Sequence, residues 1–463
     1  MGWSRINDKN TPKRRRVAMR DKRTTQTSLL ESDPVDHPLG GELESISNWL
    51  DAHPELLDAV AGDLGAQDAV GRAGLSCETV LRCAVLKHLR GETWRGLAFA
   101  LTDSLSARRF ARLEPLPPPK KSALQAAVCA VSAETWERVN RGLLDAARAA
   151  GVETGERVRV DSTVTETHIL APSDSRLLYD GLRVLAGLLV EARKRLGKAA
   201  VPCRDRRRAA KRRCLAIRTK RGKEARAKLY RQLLRIAADT LGDLDAAVPA
   251  VTESGTPWSA RWLECAAHYA RLLRAVAVQT ARRVLLEENV PAAEKIVSVF
   301  QPHTDIVRKG GRETLYGHKI NLATGKSGLV LDVVVESGNP ADSARCLPML
   351  RRHCAHYGKP PTHAAFDGGY ASADNLKGAK EMGVEHAVFS KKRGLKEEDM
   401  TPSPWIFDRL RRFRAGVEAG ISWLKRCFGL GRCRWRGLAR FKAWVQSAVF
   451  AHNLVRLARL RPG

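Results

Sequence analysis

Three carboxylates stand out in this chain of 463 residues as groups that could do chemistry together. Asp161 lies in "GERVRVDSTVTETHI" (155–169), Asp367 in "THAAFDGGYAS" (362–372) and Glu418 in "LRRFRAGVEAGISWLKRCF" (410–428). Asp367 closes an apolar run and is followed by two glycines, which let another chain or a phosphate backbone come close. Alone, an Asp beside Gly is most often a turn, so its reading depends on the other two acids. Carboxylates gathered without a cation repel one another and their pKa values rise. Two divalent ions relieve that repulsion and clamp the attacking and leaving oxygens of an in-line phosphodiester displacement. Oxygen-only ligands suit Mg²⁺ or Mn²⁺ rather than zinc.

The third acid brings basic neighbours. At about 100° per residue, Arg414, Glu418 and Lys425 fall on one stripe of a helix over 410–428. Val417, Ile421, Leu424 and Phe428 form the adjoining apolar stripe, so the Arg–Glu–Lys line is expected at the edge of the buried face. There Arg414 and Lys425 would neutralise phosphates near the reacting one. The plain alternative for Glu418 is a surface i, i+4 pair with Arg414. Asp332 and Asp305 are rival acids; Asp332 lies in a strand, without the glycines or basic flank of Asp367. His318 and Lys319 begin a strand, where a surface edge is the ordinary reading and a place near the site the sharper one. Thr163, Thr165 and His168 follow Asp161 and are read chiefly as local hydrogen-bonding groups. Trp435, in "RCRWRG", is either core or a platform for a base.

These residues need elements to position them. Residues 155–169 alternate with strand spacing. "YGHKINLAT" and "GLVLDVVVES" read as a hairpin, "THAAFD" and "VEHAVFS" as strands, and 341–358, 372–383, 410–428 and 438–460 as helices. Strands alternating with helices imply a mixed sheet covered by helices. The end of an open sheet's strand, where Asp367 stands, is a usual place for a site. Residues 175–290 carry helical but no strand signal and read as an insertion. Residues 46–150 read as an all-α N-terminal domain, with Ser76 capping a helix. Within it, 76–113 fits a helix-turn-helix or a plain bundle about equally. "PLPPPKK" (115–121) marks a break. Residues 1–45, with "KRRR" at 13–16, read as a basic, disordered arm.

The charge points to a partner. Lys and Arg number 80 against 50 Asp and Glu, a net charge of +30. Arginine-heavy codon usage explains Arg in place of Lys better than it explains the missing acids. A polyanion, nucleic acid first, is the natural partner. Residues 193–235 contain only Asp205 and Glu224 as acids, which favours backbone contact over a solvated face. No run of about 20 apolar residues exists, so no membrane span is expected, and the first residues are too charged for a signal peptide. The ten cysteines form no C-x-x-C pair and read as reduced thiols of a cytoplasmic protein.

"VRVDSTVTETHILAPSDSRLLYDGLRVL", "YGHKINLATGKSGLVLDVVVESGNPADS", "AFDGGYASADNLK" and "FRAGVEAGISWLKRCFGLGRCRWRGL" together resemble bacterial insertion-sequence transposases of the DDE class, near the group labelled ISNCY. The resemblance runs from about residue 70 to the C-terminus. It implies an RNase H-like catalytic core with Asp161, Asp367 and Glu418 as its three acids and metal ligands, and two Mg²⁺ or Mn²⁺ ions. It matches Arg414 and Lys425 to the arginine and lysine of a Y-R-E-K signature, with Arg411 where the tyrosine would stand. The implied activity is binding of the terminal inverted repeats of its own element, cleavage of the ends by metal-activated water and joining of the freed 3′-hydroxyl to target DNA. A homodimer on DNA, in the bacterial nucleoid, is the corresponding expectation. Three other readings stay open: a nuclease on the same fold, an inactive DNA-binding descendant, and an RNA-associated basic protein.

Overall fold

The computed structural model describes residues 21–23, 37–65, 74–114, 116–309, 313–391 and 393–460. In chain order come helices α1 (Pro38–Ala52), α2 (Leu56–Leu64), α3 (Cys77–Leu89), α4 (Trp94–Asp103), α5 (Leu105–Phe110), α6 (Lys121–Val128) and α7 (Ala133–Ala149), then strand β1 (Arg157–Thr167). Four further helices follow: α8 (Asp174–Leu196), α9 (Arg207–Thr219), α10 (Lys223–Glu253) and α11 (Pro257–Thr280). The chain continues through β2 (Asp305–Lys309), β3 (Glu313–Gly325), β4 (Val330–Val335), α12 (Cys346–Tyr357), β5 (His363–Phe366), α13 (Ala373–Glu381) and β6 (His386–Phe389). It ends with α14 (Glu397–Met400), α15 (Pro404–Ala415), α16 (Val417–Cys427), β7 (Arg432–Cys433) and α17 (Leu438–Leu460). The "KRRR" of the expected arm lies outside the described residues, and the arm's last residues, from Pro38, are already helical.

Among the described residues, 169–306 form one compact unit, and the chain on either side of them forms a second. The second unit is built on a mixed sheet in the order β2-β3-β1-β5-β6, with β4 also pairing β3 and β7 pairing β1. β1 is antiparallel to β3, with Asp161 opposite Leu322, and parallel to β5, with Val160 opposite Phe366. β5 and β6 are buried throughout apart from His363, as their continuous apolar runs require. Phe366 and Phe389 stack at 5.2 Å between these two strands.

The helices before β1 have no core of their own. Their apolar residues join those of the sheet and of α17 in one cluster. Every residue of α17 from Ala443 to Val455 is buried, so this helix is enclosed on all sides. Trp136 of α7 meets Phe450 of α17 at 5.8 Å. Asn453 on α17 accepts from the Val330 N–H at 2.8 Å and donates to the Val330 carbonyl and to Asn140, each at 2.8 Å. A boundary near residue 150 therefore does not divide the packing. Ser76 does cap α3, accepting from the Thr79 N–H at 3.1 Å. α3 itself is buried on nearly every side, and Arg82 within it pairs with Glu78 and Asp51 at 3.0 and 2.8 Å. Such a helix supports a bundle.

The unit of residues 169–306 is helical. Leu178, Leu182 and Leu185 of α8 pack with Leu233 and Leu244 of α10 and with Trp262 and Leu273 of α11. The Trp262 Nε1–H donates to the Leu188 carbonyl at 2.9 Å. In α9, Ala210, Cys214 and Ile217 are buried, while Arg208, Lys211, Arg212 and Arg218 form an exposed basic stripe. No described helix is long and apolar enough to cross a membrane.

The single helix expected over 410–428 is two helices. α15 stops at Ala415 and α16 starts at Val417, with Gly416 between them.

Candidate active site

The site begins on β1. Residues two apart share a strand face, so Arg159 and Asp161 point the same way. Arg159 Nε donates to Thr324 Oγ1 at 2.8 Å and its Nη1 donates to the Phe413 carbonyl at 2.7 Å. Its guanidinium also lies over the Phe413 ring, 4.7 Å from the centroid. Carbonyls of a helix's last turn lack intrahelical partners, and a cation there satisfies them. A Cβ at Gly416 would lie 2.5 Å from Arg159 Nη1. Glycine therefore leaves the space that Arg159 uses, at the break between α15 and α16.

That break presents Arg414, from the last turn of α15, to all three acids. Its Nη2 is 2.9 Å from Asp161 Oδ2 and 3.1 Å from Asp367 Oδ1, and its Nη1 is 3.3 Å from Glu418 Oε1. Asp161 and Asp367 reach one nitrogen because β1 and β5 are adjacent and parallel, and Asp367 is one step beyond Phe366, the partner of Val160. Glu418 comes from the first turn of α16, and 71% of its side chain is exposed.

The two aspartates differ electrostatically. Burial pushes the Asp161 carboxyl above its usual range, against the opposing pull of Arg414 and the Ser162 N–H. Burial acts on Asp367 in the same direction, but Arg414, the Gly368 and Gly369 N–H groups and the Ser390 hydroxyl outweigh it, so its carboxyl is held below its usual range. Ser390 Oγ donates to Asp367 Oδ1 at 3.0 Å and accepts from the Gly368 N–H at 2.9 Å. The glycines after Asp367 make room for the protein itself. A Cβ at Gly368 would meet Lys391 at 2.6 Å, and one at Gly369 would meet Asp342 at 2.9 Å.

The remaining sequence candidates fall elsewhere. Lys425 is half-buried on α16, seven residues and so roughly 10 Å beyond Glu418 along the axis. Arg411 is exposed on α15. Asp332 is clamped by Arg352 at 2.5 and 2.7 Å. Asp305 opens β2. His318 is buried, with Nδ1 3.0 Å from the Glu336 carbonyl and its ring edge-on to Phe441. Lys319 donates to the Pro340 carbonyl at 2.7 Å and to Asp342 at 3.2 Å. Thr163 and Thr165 are buried, and His168 is exposed while its N–H donates to the Cys433 carbonyl at 3.1 Å. Trp435 is core, stacked on Trp94 at 5.8 Å and edge-on to Trp444 at 5.4 Å. Arg159, Ser390 and Gly416 were missed. The period-two spacing of Arg159 from Asp161 is the one signal that would have found any of them.

The donor set, three carboxylates already gathered around a single positive group, is of the type that suits a hard divalent cation. Among the described residues, however, no group of three or more His, Cys, Asp or Glu side chains is arranged to hold an ion. The acids converge on the guanidinium.

No curated protein and no solved structure matches this chain. Residues 295–454 match the family model described as the transposase DDE domain, a segment that contains Asp367, Arg414, Glu418 and Lys425 but not Asp161. By that match, the chain carries a transposase domain of the DDE class.

Proposed function

We propose that this protein is a transposase that binds the terminal inverted repeats of its own insertion sequence, cleaves the DNA ends and joins them to target DNA. The observation that carries the reading is the convergence of Asp161, Asp367 and Glu418 on one cationic point at the C-terminal end of β5. Acids from two adjacent central strands and one following helix support an RNase H-like core. Asp161, Asp367 and Glu418 are the residues that would hold two Mg²⁺ or Mn²⁺ ions. When bound, these supply Lewis acidity at the reacting phosphate.

The protein's own groups hold and orient the DNA. Arg414 offers a planar fork that matches a phosphate, and Lys425 offers a point charge farther along α16. In the first step a water oxygen bonds to phosphorus and the P–O3′ bond breaks, which frees a 3′-hydroxyl. In the second, that hydroxyl attacks a target phosphorus and displaces the neighbouring 3′-oxygen. The exposed stripe of Arg208, Lys211, Arg212 and Arg218 on α9 favours contact with the DNA backbone, since the helix itself contains no acidic residue. The N-terminal helices are assigned to end binding. A homodimer on DNA and a place in the cytoplasm, at the nucleoid, complete the reading.

The test uses a plasmid carrying the DNA that flanks the protein's own gene, with Mg²⁺ or Mn²⁺. Metal-dependent 3′-hydroxyl ends at inverted repeats, followed by joined products, are expected, and Asp367→Ala should abolish both. Cuts without joining would indicate a nuclease, and binding without cuts an inactive descendant. Cleavage by Asp367→Ala at the wild-type rate would refute the site.

A further inference from the structure

Resting on that reading, we propose that Arg414 is the resident counter-ion of the three acids, and that metal occupies them only when a DNA phosphate draws the guanidinium away. Metal binding and DNA binding are then one linked event. The free protein carries its catalytic acids locked to an internal cation.

Four observations lead here. First, one guanidinium reaches all three carboxylates, at 2.9, 3.1 and 3.3 Å. A metal ion held by the same oxygens would share them with that guanidinium, and the two like charges would repel. The two cations must therefore exchange. Second, among the described residues no three acids are arranged to hold an ion, and the three here are spread around the Arg414 guanidinium instead. Third, Arg414 is incompletely satisfied in this position. Its Nε is buried and has no hydrogen-bond partner, whereas a phosphate can take two parallel N–H bonds from the fork. Fourth, Arg414 lies just before the joint at Gly416, and Arg159 pins the same helix end through the neighbouring Phe413 carbonyl. The side chain can swing while the helix end stays fixed.

The charge count gives the direction of the coupling. Three negative groups share one positive one. Removing the guanidinium leaves all three uncompensated and raises their demand for a cation. Linkage is reciprocal, so DNA should tighten metal binding by the same factor by which metal tightens DNA binding.

The test titrates Mn²⁺ into the full-length protein and follows free Mn²⁺ by electron paramagnetic resonance. It is run with and without a short duplex from the flanking DNA, subtracting the Mn²⁺ held by duplex alone. Arg414→Gln is expected to bind Mn²⁺ about tenfold or more tightly than wild type without DNA. Wild type should gain a similar factor when DNA is added, and Arg414→Gln little. Arg414→Lys keeps the charge but reaches fewer acids, so it should fall between; it also serves if the glutamine variant fails to fold, as judged by circular dichroism. Equal Mn²⁺ affinity in wild type and both Arg414 variants, with binding still abolished by Asp367→Asn, would overturn the inference and leave the site intact. Binding indifferent to Asp367→Asn would overturn the proposed site and the inference with it.

Discussion

Two buried aspartates on the same sheet, each facing an arginine, are put to opposite uses. Asp332 on β4 receives both bonds of Arg352, at 2.5 and 2.7 Å. Arg352 also touches Glu137 at 2.8 Å, and Arg141 pairs with Glu137 at 2.7 Å. Two acids face two arginines there, and the bonds from Asp332 push the Arg352 guanidinium to an even higher pKa. Asp161 on β1 shares one arginine with two further acids. The balanced cluster is closed and serves stability. The unbalanced one has negative charge to spare, and that surplus is what a metal ion would use.

The sharpest way to break this comparison is activity. Asp161→Asn and Asp367→Asn are each expected to lower cleavage of element ends by roughly 10³-fold or more, while folded Asp332→Asn keeps it. Equal losses in a gel-based cleavage assay would erase the distinction.

Stability should run the other way. Asp332→Ala leaves Arg352 without its principal partner and is expected to cost about 2 kcal/mol by urea denaturation, below the usual range for a buried pair because Arg352 is partly exposed. Glu418→Gln should stay within about 0.5 kcal/mol, since its side chain is mostly in water. A Glu418 cost larger than that of Asp332 would invert the assignment.

Between those extremes, Gly416→Ala is expected to cost about 1 kcal/mol by the same measurement, because its methyl must displace an arginine held at both ends. Activity should fall with it, as Arg414 shifts. A neutral substitution there would show that Arg159 is not fixing the joint.

The smallest effects concern pH. The Asp161 carboxyl is raised in the folded state, so the protein loses stability as pH rises from the ordinary aspartate range through the folded pKa. Asp161→Asn should therefore melt above wild type at neutral pH. The Asp367 carboxyl is lowered, so its contribution is present above the ordinary range and lost as pH falls through the folded pKa. Asp367→Asn should melt below wild type at neutral pH. Both differences should vanish in strong acid, and shifts of the same sign at neutral pH would contradict the assigned environments.

Much of this arrangement could be read along the chain, and some could not. The alternation of "RVRVD" placed Asp161 in a strand, and the apolar run before Asp367 placed it at a strand end. The amphipathic pattern over 410–428 joined two helices into one, because a single glycine inside such a pattern does not by itself signal a break. The geometric stripe of Arg414, Glu418 and Lys425 assumed one continuous axis. Arg414 and Glu418 do meet, but across a joint. His318 looked like a surface edge from its polar neighbours, yet it is core, as is Trp435, for which core was the ordinary reading; the partners that enclose both come from distant segments.

The sequence by itself determined the period of each element, the excess of basic side chains and the residue types able to meet a metal and a phosphate. These are local or summed properties, carried by neighbours a few residues apart. Tertiary structure decided which acid would be closed off and which left open. Asp332 and Asp161 look alike along the chain; Arg352 is 20 residues from the first and Arg414 is 253 from the second. Parallel pairing of β1 with β5 brings Asp367 beside Asp161, and the joint at Gly416 turns one guanidinium toward both. Periodicity assigns a side chain to a face, but strand register and helix packing choose the charge it meets there.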